Sequence, residues 1–183
     1  MKNCFIIIFL LSCSISLHAE NSRTSSFSGE YGGTGGNRFS HSGNQLEGPL
    51  TALRIRVNRN YIVGLQVRYG KEWSNYVGGT NGDLEEIFLF QRESIIQVSG
   101  KYTDYLRKLV FVTDEGRYFS FGKDYGISFS GAPLFPNTVL RYISGRSSSS
   151  VINAIGFHWD KYAAGCSYCN EAIQEQDNKE RVE

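Results

Sequence analysis

The feature that most constrains this chain is a run of short apolar/polar alternations broken by glycine-rich turns. Leu53, Ile55 and Val57 alternate with Arg54, Arg56 and Asn58, and Val63, Leu65, Val67 and Tyr69 alternate with Gly64, Gln66, Arg68 and Gly70. A period of two places every second side chain on one face, the signature of a half-buried strand. The two runs form a predicted hairpin turning at Asn58-Arg59-Asn60. Further predicted strands are 84–90, 94–99, 106–113, 117–121, 138–144 and 151–159, with turns at Gly78–Asp83, Asp114-Glu115-Gly116 and Gly145–Ser150. Gly122–Asn137, with two of the three prolines, is read as a looser stretch, and Gly29–Ser42 as the densest glycine region. Apolar residues nowhere recur with the 3.6-residue spacing of a helical face. The β-branched and aromatic runs, with 12 Phe and 11 Tyr, therefore argue an all-β domain.

The first residues read as a processing segment rather than part of the fold. Lys2 precedes the apolar run 5–11, which is too short to span a bilayer, and small residues follow. Residues 1–19 are thus an expected signal peptide, cut after Ser16 or Ala19, on a secreted protein with no membrane insertion. Two cysteines then remain, Cys166 and Cys169, followed by a polar tail. Residues 20–169 carry 16 Lys+Arg and 13 Asp+Glu, whereas residues 170–183 carry 2 and 5. A mildly basic body is far from the charge of a nucleic-acid-binding protein. The tail has too few apolar residues to fold alone.

Catalytic chemistry finds few parts. Removal of the signal leaves His41 and His158, and there is no Gly-x-Ser-x-Gly elbow for a nucleophile. Glu85 and Glu86 are neighbours on a strand and so face opposite sides, unlike a glycosidase pair. No metal-ligand set or phosphate loop is present, and no cofactor is expected. Cys166 and Cys169, in an oxidising compartment, suit a small loop disulfide or an intermolecular one better than redox catalysis. Arg54 and Arg56 share a strand face, with Arg38 in a nearby turn. They read as a solvated face, or as a cluster for sulfate and carboxylate groups.

One stretch suits sugar recognition. Gly156-Phe157-His158-Trp159-Asp160 supplies a carboxylate able to accept hydrogen bonds from hydroxyls, and Gly35-Gly36-Asn37 supplies backbone donors. The alternative reading puts Phe157 and Trp159 in the core and Asp160 at a turn.

The runs Gly29-Glu30-Tyr31-Gly32-Gly33, His41–Gln45, Asn81–Ile87 and Gly156-x-x-x-Asp160 together resemble the jacalin-related lectins, and within them an animal secretory lectin. The resemblance covers nearly all of 25–165 and continues to Cys-x-x-Cys; 166–183 is left as a tail. It implies a β-prism of type I, three four-stranded Greek-key sheets about a pseudo-threefold axis. It also implies a non-catalytic sugar site at one prism end. Carried over, Gly36 offers a backbone donor, Asp160 takes two hydroxyls, Phe157 and His158 present backbone N–H groups, and Tyr105 borders the site. The unbroken glycine loop implies mannose-type rather than galactose-type ligands, on host or microbial surfaces. A second implied role is binding of sulfated glycosaminoglycans through Arg38, Arg54 and Arg56 during secretory granule packaging or at mucosal surfaces. Asn37 and Thr80 stand where basic residues are expected for that role.

Overall fold

The computed structural model describes residues 24–161. The expected signal peptide, Cys166, Cys169 and the acidic tail lie outside the described residues. Thirteen strands and one short 3-10 turn make up the fold: β1 (Ser26–Gly32), β2 (Asn37–Ser40), the turn Asn44–Glu47, β3 (Leu50–Val57), β4 (Ile62–Tyr69), β5 (Glu72–Trp73), β6 (Val77–Gly78), β7 (Asp83–Phe88), β8 (Ile95–Tyr102), β9 (Leu106–Thr113), β10 (Tyr118–Gly122), β11 (Ile127–Gly131), β12 (Val139–Ser147) and β13 (Ile152–Asp160). All pairings are antiparallel.

The strands form three sheets with one plan. Each is built on a long central hairpin: β3–β4, β8–β9 and β12–β13. In the sheet ordered β10-β9-β8-β11, the strand after the hairpin returns beside its second arm, and the next lies beside its first. That is the spatial order of a Greek key. The sheet β5-β4-β3-β7 repeats it, with β5 and β6 together along the outer edge of β4. The third sheet, β1-β13-β12-β2, repeats it with a change of connectivity. Its hairpin is the last in the chain and its flanking strands are the first, so the two ends of the domain meet in one sheet.

The inner faces of the sheets share one core. Leu53, Ile55, Leu65 and Val67 come from one sheet, Leu109 and Phe111 from the next, and Ile143, Ile155, Phe157 and Trp159 from the third. Full burial of side chains of this size contributes roughly 1.5–3 kcal/mol each. The alternation read in the sequence therefore selects the inward set in β3, β4 and β9. Trp159 is buried, as the core reading holds, and its indole N–H donates to Ser28 Oγ at 3.0 Å.

Besides the two-residue β5 and β6, two strand regions escaped the sequence reading. β11 lies in the supposedly loose stretch, and β1 and β2 lie on either side of the glycines. All three are edge strands. They are exposed over much of their length and so lack the apolar alternation of the central hairpins.

Candidate functional site

The glycine loop between β1 and β2 is held at one end of the third sheet. Gly33 N–H donates to the Asn153 carbonyl at 3.0 Å, at the start of β13. The same bond recurs in the other sheets, from Gly79 N–H to Val63 O (2.6 Å) and from Lys123 N–H to Arg107 O (2.9 Å). Asn153, Val63 and Arg107 thus occupy equivalent places about the pseudo-threefold axis. At this end the connection of one sheet touches that of another. A Cβ on Gly33 would run into the Asp104 carbonyl of the β8–β9 loop, and Arg107 Nη1 donates to Asn60 O of the β3–β4 loop at 3.2 Å.

Asn153 distinguishes the third sheet from the other two. Its side chain is 5% exposed, and its Oδ1 has no hydrogen-bond partner. A buried polar atom left unpaired costs about 1–3 kcal/mol, so each one calls for a partner, such as a bound water or a ligand. A Cβ on Gly36 would lie 2.6 Å from this oxygen and from the Ser147 carbonyl, while one on Gly35 would lie 3.0 Å from Asn153 Nδ2. Gly36 has φ +75°, a conformation that glycine adopts without a Cβ penalty. Opposite them, Tyr105 lies in the loop whose Asp104 touches Gly33, and its ring packs edge-on against Tyr61 at 5.3 Å. The result is a small cradle of backbone groups and one amide, closed by the turn after Ser147 and bordered by Tyr105.

The equivalent positions do not reproduce the cradle. Val63 offers no polar side-chain atom. Arg107 is a donor already committed: Nε bonds Thr103 Oγ1 at 3.1 Å, and its guanidinium lies 4.3 Å from the Tyr61 ring.

The expected pairing of Gly36 with Asp160 is corrected by the register. Asn153 and Asp160 are at opposite ends of β13, seven residues and about 23 Å apart at the usual strand rise. Gly36 faces Asn153, not Asp160. The Asp160 carboxylate accepts from Thr24 Oγ1 (2.6 Å) and from Lys161 N–H (2.7 Å), tying together the two ends of the domain. Phe157 and His158 are likewise away from the cradle, paired with β1 and β12 on either side. A central strand spends its N–H groups on the ladder. The sequence missed Asn153 because it sits in an apolar run with no motif glycine before it. The Ser148–Ser150 turn beside it was the available signal.

The basic cluster is also dispersed. Arg38 is exposed on β2, whereas Arg54 and Arg56 lie on β3 of another sheet. Arg54 pairs with Glu86 at 3.2 Å and stacks over Trp73 at 3.9 Å, and Arg56 donates to Gly82 O at 2.8 Å. Among the described residues, no three or more His, Cys, Asp and Glu side chains are placed to hold a metal ion. No described helix is long and apolar enough to cross a membrane.

A family model for the jacalin-like lectin domain matches residues 28–158. The chain belongs to the jacalin-like lectin family. It is 70% identical to zymogen granule membrane protein 16 of Homo sapiens over 163 residues, 89% of this chain and 97% of that one. Among solved structures, it is similar to a prostate-specific WGA16 glycoprotein lectin at 32% identity and TM-score 0.67, covering 75% of this chain and all of the other. It is also similar to a mannose-binding jacalin-related lectin from Ananas comosus at 25% identity and TM-score 0.64, covering 75% and 99%. The prism read in the sequence is the fold of this lectin family, and carbohydrate binding is the chemistry the family brings.

Proposed function

We propose that this protein is a secreted, non-catalytic lectin for mannose-type glycans whose sugar site is the cradle of Gly33–Gly36, Asn153 and Tyr105. The observation that carries the reading is the unpartnered, nearly buried Oδ1 of Asn153 beside Gly36, where any Cβ would collide with it. A sugar hydroxyl is both donor and acceptor. It can give its proton to Asn153 Oδ1 and accept from the Asn153 amide or from a backbone N–H of the glycine loop. Tyr105 adds an aromatic rim for the apolar side of a pyranose ring. The names of similar proteins support the ligand and the location: a mannose-binding relative of the same fold, and a relative named for the zymogen granule.

The test is binding to immobilised mannan by the wild type, Asn153→Ala and Asp160→Asn. Loss in the first variant and retention in the second is expected. Retention in Asn153→Ala, with loss in Asp160→Asn, would return the site to the other end of β13. The site contains no ion pair, so binding should change little with added salt.

A further inference from the structure

The outer face of the sheet β1-β13-β12-β2 carries a second feature, which meets the cradle where Arg146 Nη1 donates to Gly36 O at 3.3 Å. Cross-strand registers place the side chains in rows. Phe27, His158 and Tyr142 lie side by side on β1, β13 and β12. The imidazole of His158 is stacked on Tyr142 at 4.0 Å and 8° and tilted against Phe27 at 4.6 Å. The next row is small: Gly156, Ser144 and Ser40 on β13, β12 and β2. Beyond it comes a charged row of Arg146 and Arg38, with Glu30 paired to Arg146 at 3.6 Å. An aromatic ridge whose Phe27 ring overhangs Gly156, a floor of Ser144 and Ser40, and a polar wall make a trough across the strands.

The trough holds a hollow of about 510 Å³ lined by Phe27, Glu30, Arg38, Ser40, Ser144 and His158. A second hollow of about 320 Å³ lies on the other side of the ridge, against Gln45, Arg141 and Asp160. Both volumes fall in the range of ligand sites. Phe27, on the edge strand β1, is 48% exposed, and its ring reaches across Gly156 of β13. The floor is fixed by His158 Nε2 and Ser144 Oγ at 2.8 Å.

We infer that this trough is a second carbohydrate site, for a short neutral stretch of pyranose units lying across the strands. Its chemistry is that of a saccharide. Phe27 covers the apolar side of a ring, Ser40 offers a hydroxyl, and Glu30 and Arg38 offer an acceptor and a donor to ring hydroxyls. The ion pair of Glu30 with Arg146 lowers the local excess of charge, which favours a neutral ligand. An extended peptide is a poorer occupant. It would add to the outer edge of β1 or β2 rather than lie across the central strands, which are paired on both sides. The inference does not depend on the cradle being a mannose site.

The experiment is an amide-resolved NMR titration of the full chain with β1,4-linked mannotetraose, repeated with Asn153→Ala, Phe27→Ala and Ser40→Trp. Shifts at Phe27, Ser144 and Gly156 are expected in the wild type and in Asn153→Ala. Phe27→Ala should weaken that response by roughly three- to tenfold, the size of one aromatic contact. Ser40→Trp, which fills the trough from an exposed edge strand, should abolish it even if Phe27→Ala proves unstable. Shifts confined to Gly33–Gly36 and Asn153, or trough shifts indifferent to both substitutions, would overturn the inference. So would trough shifts produced by an alanine tetrapeptide and not by the oligosaccharide. Because the two sites report through different amides, failure of one leaves the other readable.

Discussion

Gly36 and Asn153 are so close that a Cβ on the glycine would stand 2.6 Å from the amide oxygen of the asparagine. This proximity ties the first connection of the chain to the start of its last strand. Gly36→Ala should therefore do two things. A non-glycine residue at φ +75° costs about 1–2 kcal/mol, and the methyl must push Asn153 or the Ser147 carbonyl aside. Chemical denaturation should show a small loss of stability, and mannan binding should disappear. An unfolded variant, or one that binds mannan normally, would contradict the geometry.

Asn153→Asp is the informative charge change. A carboxylate is an acceptor only, and its hydrogen bonds from hydroxyls are stronger than those of an amide oxygen. Mannan affinity at neutral pH should rise by roughly 1 kcal/mol, measured by calorimetry. Unchanged or weaker binding by a folded variant would argue that the amide's N–H, not its oxygen, meets the sugar.

Stability should fall in mild acid because of His41. Its ring is 3% exposed, 3.5 Å from the Tyr69 hydroxyl through Nδ1, and its Nε2 is unpartnered. Burial lowers its pKa from 6.5 to about 4. The folded state thus resists protonation while the unfolded chain accepts it. The stability that His41 allows is complete above pH 6.5 and declines as pH falls towards 4, by on the order of 3 kcal/mol. Thermal melts of His41→Gln across this window should show a flatter profile, with the remaining slope including His158, whose pKa burial also lowers. An unchanged slope would show that His41 is not the group responsible.

Glu93 anchors the opposite side of the prism. Burial raises its pKa, but bonds from Arg117, Thr113 and the Phe90 N–H outweigh this and hold it below the usual carboxylate value. Arg117 meets both oxygens, at 2.8 and 2.7 Å, and lies over Phe90 at 3.9 Å. Glu93 is buried but Arg117 keeps some contact with solvent, so Glu93→Ala should cost about 2–3 kcal/mol in urea unfolding. A loss under 1 kcal/mol would mean the pair is effectively solvated.

The central hairpins were legible in the sequence because one face of each is buried and the other is not. Leu53, Ile55, Leu65 and Val67 had to alternate, and the turn at Asn58–Asn60 is capped by Asn58 Oδ1, which accepts from the N–H groups of Asn60 and Tyr61. Edge strands such as β11 gave no such pattern. Gly36 and Tyr105 were named from the resemblance and lie at one prism end. The sequence pairs Asp160 with Gly36 because Gly156-x-x-x-Asp160 suggests a loop, and spacing alone cannot tell which end of a nine-residue strand faces the glycines. Register decides that, and register depends on contacts between residues more than a hundred positions apart.

The sheet made from both ends of the chain also has a consequence for synthesis. Two Greek keys lie wholly within residues 50–131 and can close while the ribosome is still extending the polypeptide. The third cannot, because β1 and β2 wait for β12 and β13. Until the last strand emerges, Gly33 has no Asn153 carbonyl to bond and Phe27 has no His158 to lean on. Both proposed sites are therefore absent from a nascent or truncated chain. Sugar recognition through either proposed site thus requires the third sheet to be complete.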